Sequence, residues 1–149
     1  MQQGLSRVPI IRLWNLLLVP VQGELTDAHA EQLRHDVLNE IHVAGSEGLV
    51  LDVTGLWMMD SHLCAVLTRL AQAAGLMGTN TVVCGISADI AMTIQSMGLE
   101  LRGIRTALTL EEALRGFGIT GPTDAGASPN PFDPPPTAVG ATDGRNPGP

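Results

Sequence analysis

The spacing of apolar residues along the chain changes period several times, and each change marks a predicted element. Two short runs rich in Ile, Leu and Val, Pro9 to Trp14 and Leu16 to Val21, flank Asn15 and predict two strands joined by a tight turn there. Thr26 then offers an N-cap, and Asp27 puts an acid where the helix dipole favours one. Leu33, Val37, Ile41 and Ala44 mark one face at helical spacing, and Gly45 supplies the stop. The nearly continuous apolar run Gly48 to Val53 suits a strand covered on both faces of a sheet. Past a predicted loop, Thr54 to Met59, the residues Leu63, Val66, Leu67, Leu70 and Ala74 form a second helical stripe that ends near Gly78. Thr81 to Cys84 reads as another strand. Ser87 caps a helix that turns Ile90, Ile94 and Met97 inward and closes at Gly98. A short strand around Ile104 to Ala107 precedes a last helix. That helix opens with the capping box Thr109-Leu110-Glu111-Glu112 and carries the stripe Leu110, Ala113, Leu114 and Phe117. Strands alternating with helices after an initial hairpin predict an α/β fold, a mixed β-sheet layered with about four α-helices.

Composition divides the chain in two. Eight of the ten prolines fall at or after Pro122, in a stretch whose only large apolar residues are Phe132 and Val139. Such a segment cannot bury enough apolar surface to offset its ordering entropy, so residues 1–119 are expected to fold and 120–149 to form a disordered Pro/Gly-rich tail. Charge narrows the function. The chain has eight arginines, no lysine and fifteen acids, a formal net charge of −7. It therefore lacks the cationic surface that supplies most affinity for phosphate backbones, and nucleic acid is discounted as a partner. Without lysine there is no Walker-type phosphate lysine and no Schiff base, and without tyrosine that general acid is gone too. Cys64 and Cys84 have no ligand-like neighbours and read as small buried hydrophobes of a reducing compartment. The apolar stretch Ile10 to Val21, interrupted by Arg12, Asn15 and Pro20, is shorter than the about 20 residues of a membrane span. It also lacks the form of a signal peptide, so no membrane association and a cytoplasmic location are expected.

One segment stands out for chemistry, Met58-Met59-Asp60-Ser61-His62, at the junction between a strand's exit loop and a helix. In layered α/β folds the edge beyond the carboxyl ends of the strands is where ligands and partners are met. Asp60 or Ser61 is the N-cap, with the other beside it, and Asp52 at the end of the preceding strand can face the same edge. By spacing alone, capping is a sufficient account of the pair. A hydrolytic triad of Asp60, Ser61 and His62 is disfavoured because neighbouring helical residues point about 100° apart and flanking elbow glycines are missing. On the first helix, Glu31 and His35 have an i, i+4 spacing, but no third metal ligand is evident, and His42 lies about 10.5 Å along the axis from His35. Thr93 reads as a semi-buried hydroxyl bonded to the backbone one turn earlier. Nothing in the pattern looks like a cofactor box.

The order of these segments resembles a known family. Leu49-Val50-Leu51-Asp52-Val53-Thr54-Gly55, the Asp60-Ser61 pair opening a helix, and Leu110-Glu111-Glu112-Ala113-Leu114 resemble the STAS domain of bacterial anti-sigma-factor antagonists. More narrowly, Pro9 to Asn15 with Leu16 to Val19 is similar to the start of RsbS-type stressosome proteins. So are Leu76-Met77-Gly78, Gly85-Ile86, Ile90-Ala91-Met92-Thr93 and Gly98-Leu99. The resemblance implies a STAS-like fold and a non-enzymatic scaffold with Asp52, Asp60 and His62 along a partner-binding edge. It matches Ser61 to the serine that an RsbT-type kinase phosphorylates, and Thr93 to a second phosphorylation site of RsbR-type co-antagonists, whose use in an RsbS-type chain is not implied. Implied partners are an RsbR-type STAS co-antagonist, an RsbT-type serine kinase sequestered until stress, an RsbX-type phosphatase and further copies of the chain. Few residues precede the first strand, so the RsbS-type role is the expected one. Two other readings stay open. One is a freely diffusing antagonist that binds an anti-sigma kinase one to one. The other, from a different class, is a small-ligand-binding α/β domain with a polar pocket near Asp52 and Asp60.

Overall fold

The computed structural model describes residues 8–119, so the tail expected to be disordered, 120–149, lies outside the described residues. The elements run β1 (Ile11–Leu13), β2 (Leu16–Gly23), α1 (Asp27–Ala44), β3 (Gly48–Leu56), α2 (Ser61–Leu76), β4 (Asn80–Cys84), α3 (Ala88–Ser96), β5 (Arg105–Ala107) and α4 (Leu110–Gly116). They build one five-stranded sheet in the order β1-β2-β3-β4-β5. The opening hairpin pairs β1 with β2 antiparallel, and every later pairing is parallel. The expected mixed sheet with four helices and an opening hairpin is the fold observed.

A sheet that grows outward strand by strand through right-handed crossovers places its crossover helices on one face. Leu49, Leu51 and Val53 accordingly pack with the buried residues of α1, α2 and α3. The alternate residue Val50 joins Val82 and Cys84 against Ala113 of α4 on the opposite face. Both faces of β3 are thus covered, as its unbroken apolar run predicted. α4 closes so tightly that a Cβ at Gly48 would lie 2.6 Å from the Phe117 ring and 2.5 Å from Leu16.

Three expectations about boundaries and faces change. The hairpin turn is Trp14-Asn15 rather than Asn15 alone, because Leu13 pairs directly with Leu16. The segment Thr54 to Leu56, expected as loop, extends β3. A register shift between Pro20 and Gln22 lets β2 and β3 keep pairing as far as Gly23 and Leu56. Pro20 is tolerated there because β1 reaches only as far as Leu18, leaving that side of β2 without a ladder partner. Met97 and Ala44 are exposed rather than inward. α3 stops at Ser96, taking Met97 off its stripe, and Val43, Ala44 and Gly45 of the α1 terminus are all exposed beyond the last core residue, Ile41.

The local caps follow the sequence closely. Thr26 accepts from the His29 N–H at 3.2 Å and Ser87 from the Ile90 N–H at 3.2 Å. Thr109 accepts from the Glu112 N–H at 3.1 Å, while the Glu112 carboxylate reaches back to the Leu108 N–H at 2.9 Å, one residue before the usual partner of a capping box. No helix among the described residues is long and apolar enough to cross a membrane.

Candidate functional site

β3 ends at Leu56, and four connecting residues lead into α2 at Ser61. The Trp57 N–H donates to the Gly23 carbonyl at 2.9 Å, holding this connection against the end of β2. Met59 is 2% exposed and anchors the connection in the core. With Met59 inward, the preceding side chains stand out: Trp57 is 79% exposed and Met58 52%. Asp60 is the N-cap, with backbone φ −90° and ψ 176°, and its carboxylate accepts from the Leu63 N–H at 2.7 Å. Ser61 is therefore the first helical residue and not the cap. It is exposed, and its hydroxyl has no hydrogen-bond partner among the described residues. The two readings left open by spacing are separated here: Asp60 caps, and Ser61 presents a free hydroxyl at the positive end of a helix dipole.

This division of labour predicts a small, specific cost. Asp60→Ala removes the cap and lowers stability by about 1 kcal/mol, whereas Asp60→Asn keeps an acceptor oxygen and loses less. Urea denaturation of both variants checks it. Equal losses would show that the cap bond is not what the alanine removes.

The other residues expected at this edge separate. Asp52 alternates with Leu51 and Val53, so it projects to the α4 face of the sheet, while α2 lies on the other. Its carboxylate accepts from both the Thr54 N–H at 3.0 Å and the Thr54 hydroxyl at 2.6 Å, beside the β2–β3 register shift. His62 turns from the rim towards α1, where its Nε2 lies 3.9 Å from both Asp27 and Glu31, beyond hydrogen-bond distance. Thr93 is exposed on α3 rather than semi-buried, and its hydroxyl donates to the Asp89 carbonyl at 2.9 Å, the backbone bond its position suggested. Glu31 does not pair with His35; Arg34 holds it at 2.7 Å.

Both cysteines are buried thiols. Burial, reinforced by the Asp52 charge, pushes Cys84 up to about 11. Cys64 is raised by burial and by Asp60. Neither carries appreciable thiolate at neutral pH. A groove of about 320 Å³ begins at Ser61 and runs along α2 past Cys64, Thr68 and Arg69 towards Leu99. The feature that reading the sequence missed is the exposure of Trp57 and Met58. Two large apolar residues in an exit loop, directly before an N-cap, are the trace it left.

Comparison with known proteins adds to this geometry. The STAS domain family matches residues 8–113. Among solved structures, a variant of RsbS from Moorella thermoacetica superposes with a TM-score of 0.67 at 34% identity, covering 76% of this chain and 96% of that one. A chain from the structure of the stressosome, described as a signal integration and transduction hub, gives a TM-score of 0.62 at 31% identity, with 74% and 96% covered. The RsbT co-antagonist protein RsbRA of Bacillus subtilis is 25% identical over 108 residues, 72% of this chain. The chain spans only 39% of that relative's length.

Proposed function

The chain belongs to the STAS domain family, and from that premise we propose that it is a regulatory scaffold of a stressosome-like assembly, switched by phosphorylation of Ser61. In this reading the protein has no catalytic activity of its own and works in the cytoplasm. It joins RsbR-type co-antagonists and further copies of itself, and it sequesters an RsbT-type serine kinase. Phosphorylation of Ser61 releases the kinase, and an RsbX-type phosphatase resets the site. Asp60 and the Trp57-Met58 pair form the rim that the kinase grips, while Asp52 lies on the opposite layer of the sheet and His62 turns towards α1.

The observation that carries this reading is the free, exposed Ser61 hydroxyl at the first turn of α2, directly after a capping carboxylate and a connection that exposes two large apolar side chains. Such a position suits a switch. A phosphate adds about −1.5 to −2 charge and three acceptor oxygens. A helix N-terminus accommodates that charge, with a dipole benefit of about 0.3–1 kcal/mol, so the domain stays folded while the rim changes character.

Incubating the full chain with ATP and an RsbT-type kinase should label the peptide containing Ser61, and Ser61→Ala should abolish that label. Labelling that persists in Ser61→Ala, or none in the wild type, refutes the assignment. Sedimentation with an RsbR-type co-antagonist separates a scaffold from a freely diffusing antagonist, since only the scaffold enters particles of very large mass.

A further inference from the structure

We propose that the open edge of β5 is a docking site for a short, extended, acidic segment of a partner protein, which adds to the sheet as a sixth strand. It is separate from Ser61, at the start of α2.

β5 is the last strand of the sheet and pairs only with β4. Its backbone groups alternate between that partner and the outside. The Ala107 carbonyl accepts from the Gly85 N–H at 3.3 Å, on the β4 side. Thr106, one residue earlier, therefore directs its N–H and its carbonyl to the open side. No proline blocks this edge, and Arg105 and Thr106 are both exposed. What limits it is its length, three residues. An occupant gains few main-chain bonds there, so its side chains have to supply the rest.

Two hollows give those side chains room. Between β5 and α2 lies one of about 330 Å³, lined by Ala71, Gly75, Thr81, Gly103 and Arg105. On the other face, between β5 and α4, lies one of about 270 Å³, lined by Val82, Ala107, Ala113, Phe117 and again Arg105. Side chains of an added strand alternate between the two faces, so successive residues of one extended peptide reach both hollows. The hollows differ in chemistry. The one beside α4 is walled by aliphatic and aromatic groups and suits an apolar side chain. In the one beside α2, Thr81 is 3% exposed and its hydroxyl has no hydrogen-bond partner among the described residues. A buried hydroxyl left unpaired is costly, and a polar side chain in this hollow is the partner it lacks.

Charge selects the sign of the occupant. Residues 101–107 carry two arginines and no acid, on a chain with fifteen acids. Arg102 is occupied by Glu100 at 3.3 Å, whereas Arg105, bordering both hollows, pairs with no acid among the described residues. Glu112, at the hollow beside α4, is engaged by the Leu108 N–H at 2.9 Å. Salt screens the more distant acids beyond about 8 Å, so the Arg105 guanidinium decides what docks. A carboxylate on the incoming strand gives it a charge-assisted partner. A second copy of this chain, pairing edge to edge, would set Arg105 against Arg105 and is disfavoured.

Fluorescence anisotropy of the full chain with a labelled octapeptide alternating valine and aspartate tests the site, together with amide hydrogen exchange followed by NMR. The peptide should bind and slow exchange of the Thr106 N–H tenfold or more. Lysine in place of aspartate in the peptide, and Arg105→Gln in the protein, should each weaken binding tenfold or more. Thr106→Pro, which removes an outward N–H and spares the β4 pairing, should abolish binding. Arg69→Gln, on α2 and outside both hollows, should leave it unchanged. Should the proline variant fail to fold, Arg105→Gln, at an exposed side chain, still decides. Failure of the aspartate peptide to bind, equal binding of the lysine peptide, wild-type binding in Arg105→Gln, binding that survives in a folded Thr106→Pro, or an equal loss in Arg69→Gln overturns the proposal. So does a Thr106 N–H that exchanges slowly without peptide, because the edge is then filled from within the chain or by a second copy.

Discussion

Gly85→Ala should lower the stability of the domain by about 3 kcal/mol. Gly85 turns the chain from β4 into α3 at φ +79°, and a Cβ built there lies 2.1 Å from the Thr54 hydroxyl and 3.0 Å from the Thr54 backbone Cα. Two costs add. A side chain in the left-handed region costs about 1–2 kcal/mol, and overpacking against a fixed neighbour costs about 1–3 kcal/mol. The neighbour is fixed because Thr54 donates through both its N–H and its hydroxyl to Asp52, at 3.0 and 2.6 Å. Gly78→Ala separates the two contributions. Gly78 has φ +86° but nothing within 4 Å of its would-be Cβ, so only the conformational cost of about 1–2 kcal/mol applies. Denaturant midpoints for the two variants give the comparison. Against a typical domain stability of about 5–15 kcal/mol, the Gly85 loss is large enough to measure without ambiguity. Equal losses for the two would mean that the contact with Thr54 gives way freely.

Ser61→Glu should leave the fold intact and weaken kinase binding by more than tenfold. The substitution adds a charge at the first residue of α2, where the helix dipole tolerates it, so unfolding should shift by less than about 1 kcal/mol. For the partner the balance differs. A desolvated contact around Asp60 now has to accommodate a second negative charge next to the first, with Asp27 and Glu31 nearby on α1. A penalty of about 1.4 kcal/mol is already tenfold in affinity. Calorimetric titration of the RsbT-type kinase with wild type, Ser61→Ala and Ser61→Glu provides the measurement. Ser61→Ala should bind like the wild type, and raising the salt concentration should narrow the gap between wild type and Ser61→Glu. Wild-type affinity in Ser61→Glu at physiological salt would remove the basis for a charge-driven release.

The helices and their caps were legible because their causes lie within a few residues. Thr26, Ser87 and Thr109 each bond a backbone N–H three residues on, and the stripes of α1 and α2 bury Leu33, Val37, Ile41, Leu63, Val66 and Leu70 as the spacing requires. β3 was legible in kind but not in length. Its last residues pair only because β2 shifts register past Pro20, a property of two strands separated by a whole helix.

The candidate site shows the same division more sharply. Asp60 and Ser61 could be recognised as a cap pair at a sheet edge, yet which of them caps depends on how far Met59 is drawn into a core built by three other helices and strands. Asp52 was expected at the same edge because it was read as the end of the preceding strand, but β3 runs on to Leu56 and its pleat turns Asp52 to the opposite layer. The sequence by itself determined the order of elements, the alternation that covers both faces of the sheet, the caps, and a phosphorylatable hydroxyl at a helix start. Only the tertiary structure decided that Trp57 and Met58 stand out from one edge, that β5 is left open between two hollows at another, and that Gly85 rests on Thr54. Local hydrogen bonds and periodic burial are written into neighbouring residues, whereas exposure and close approach depend on which distant segments arrive to cover or meet them.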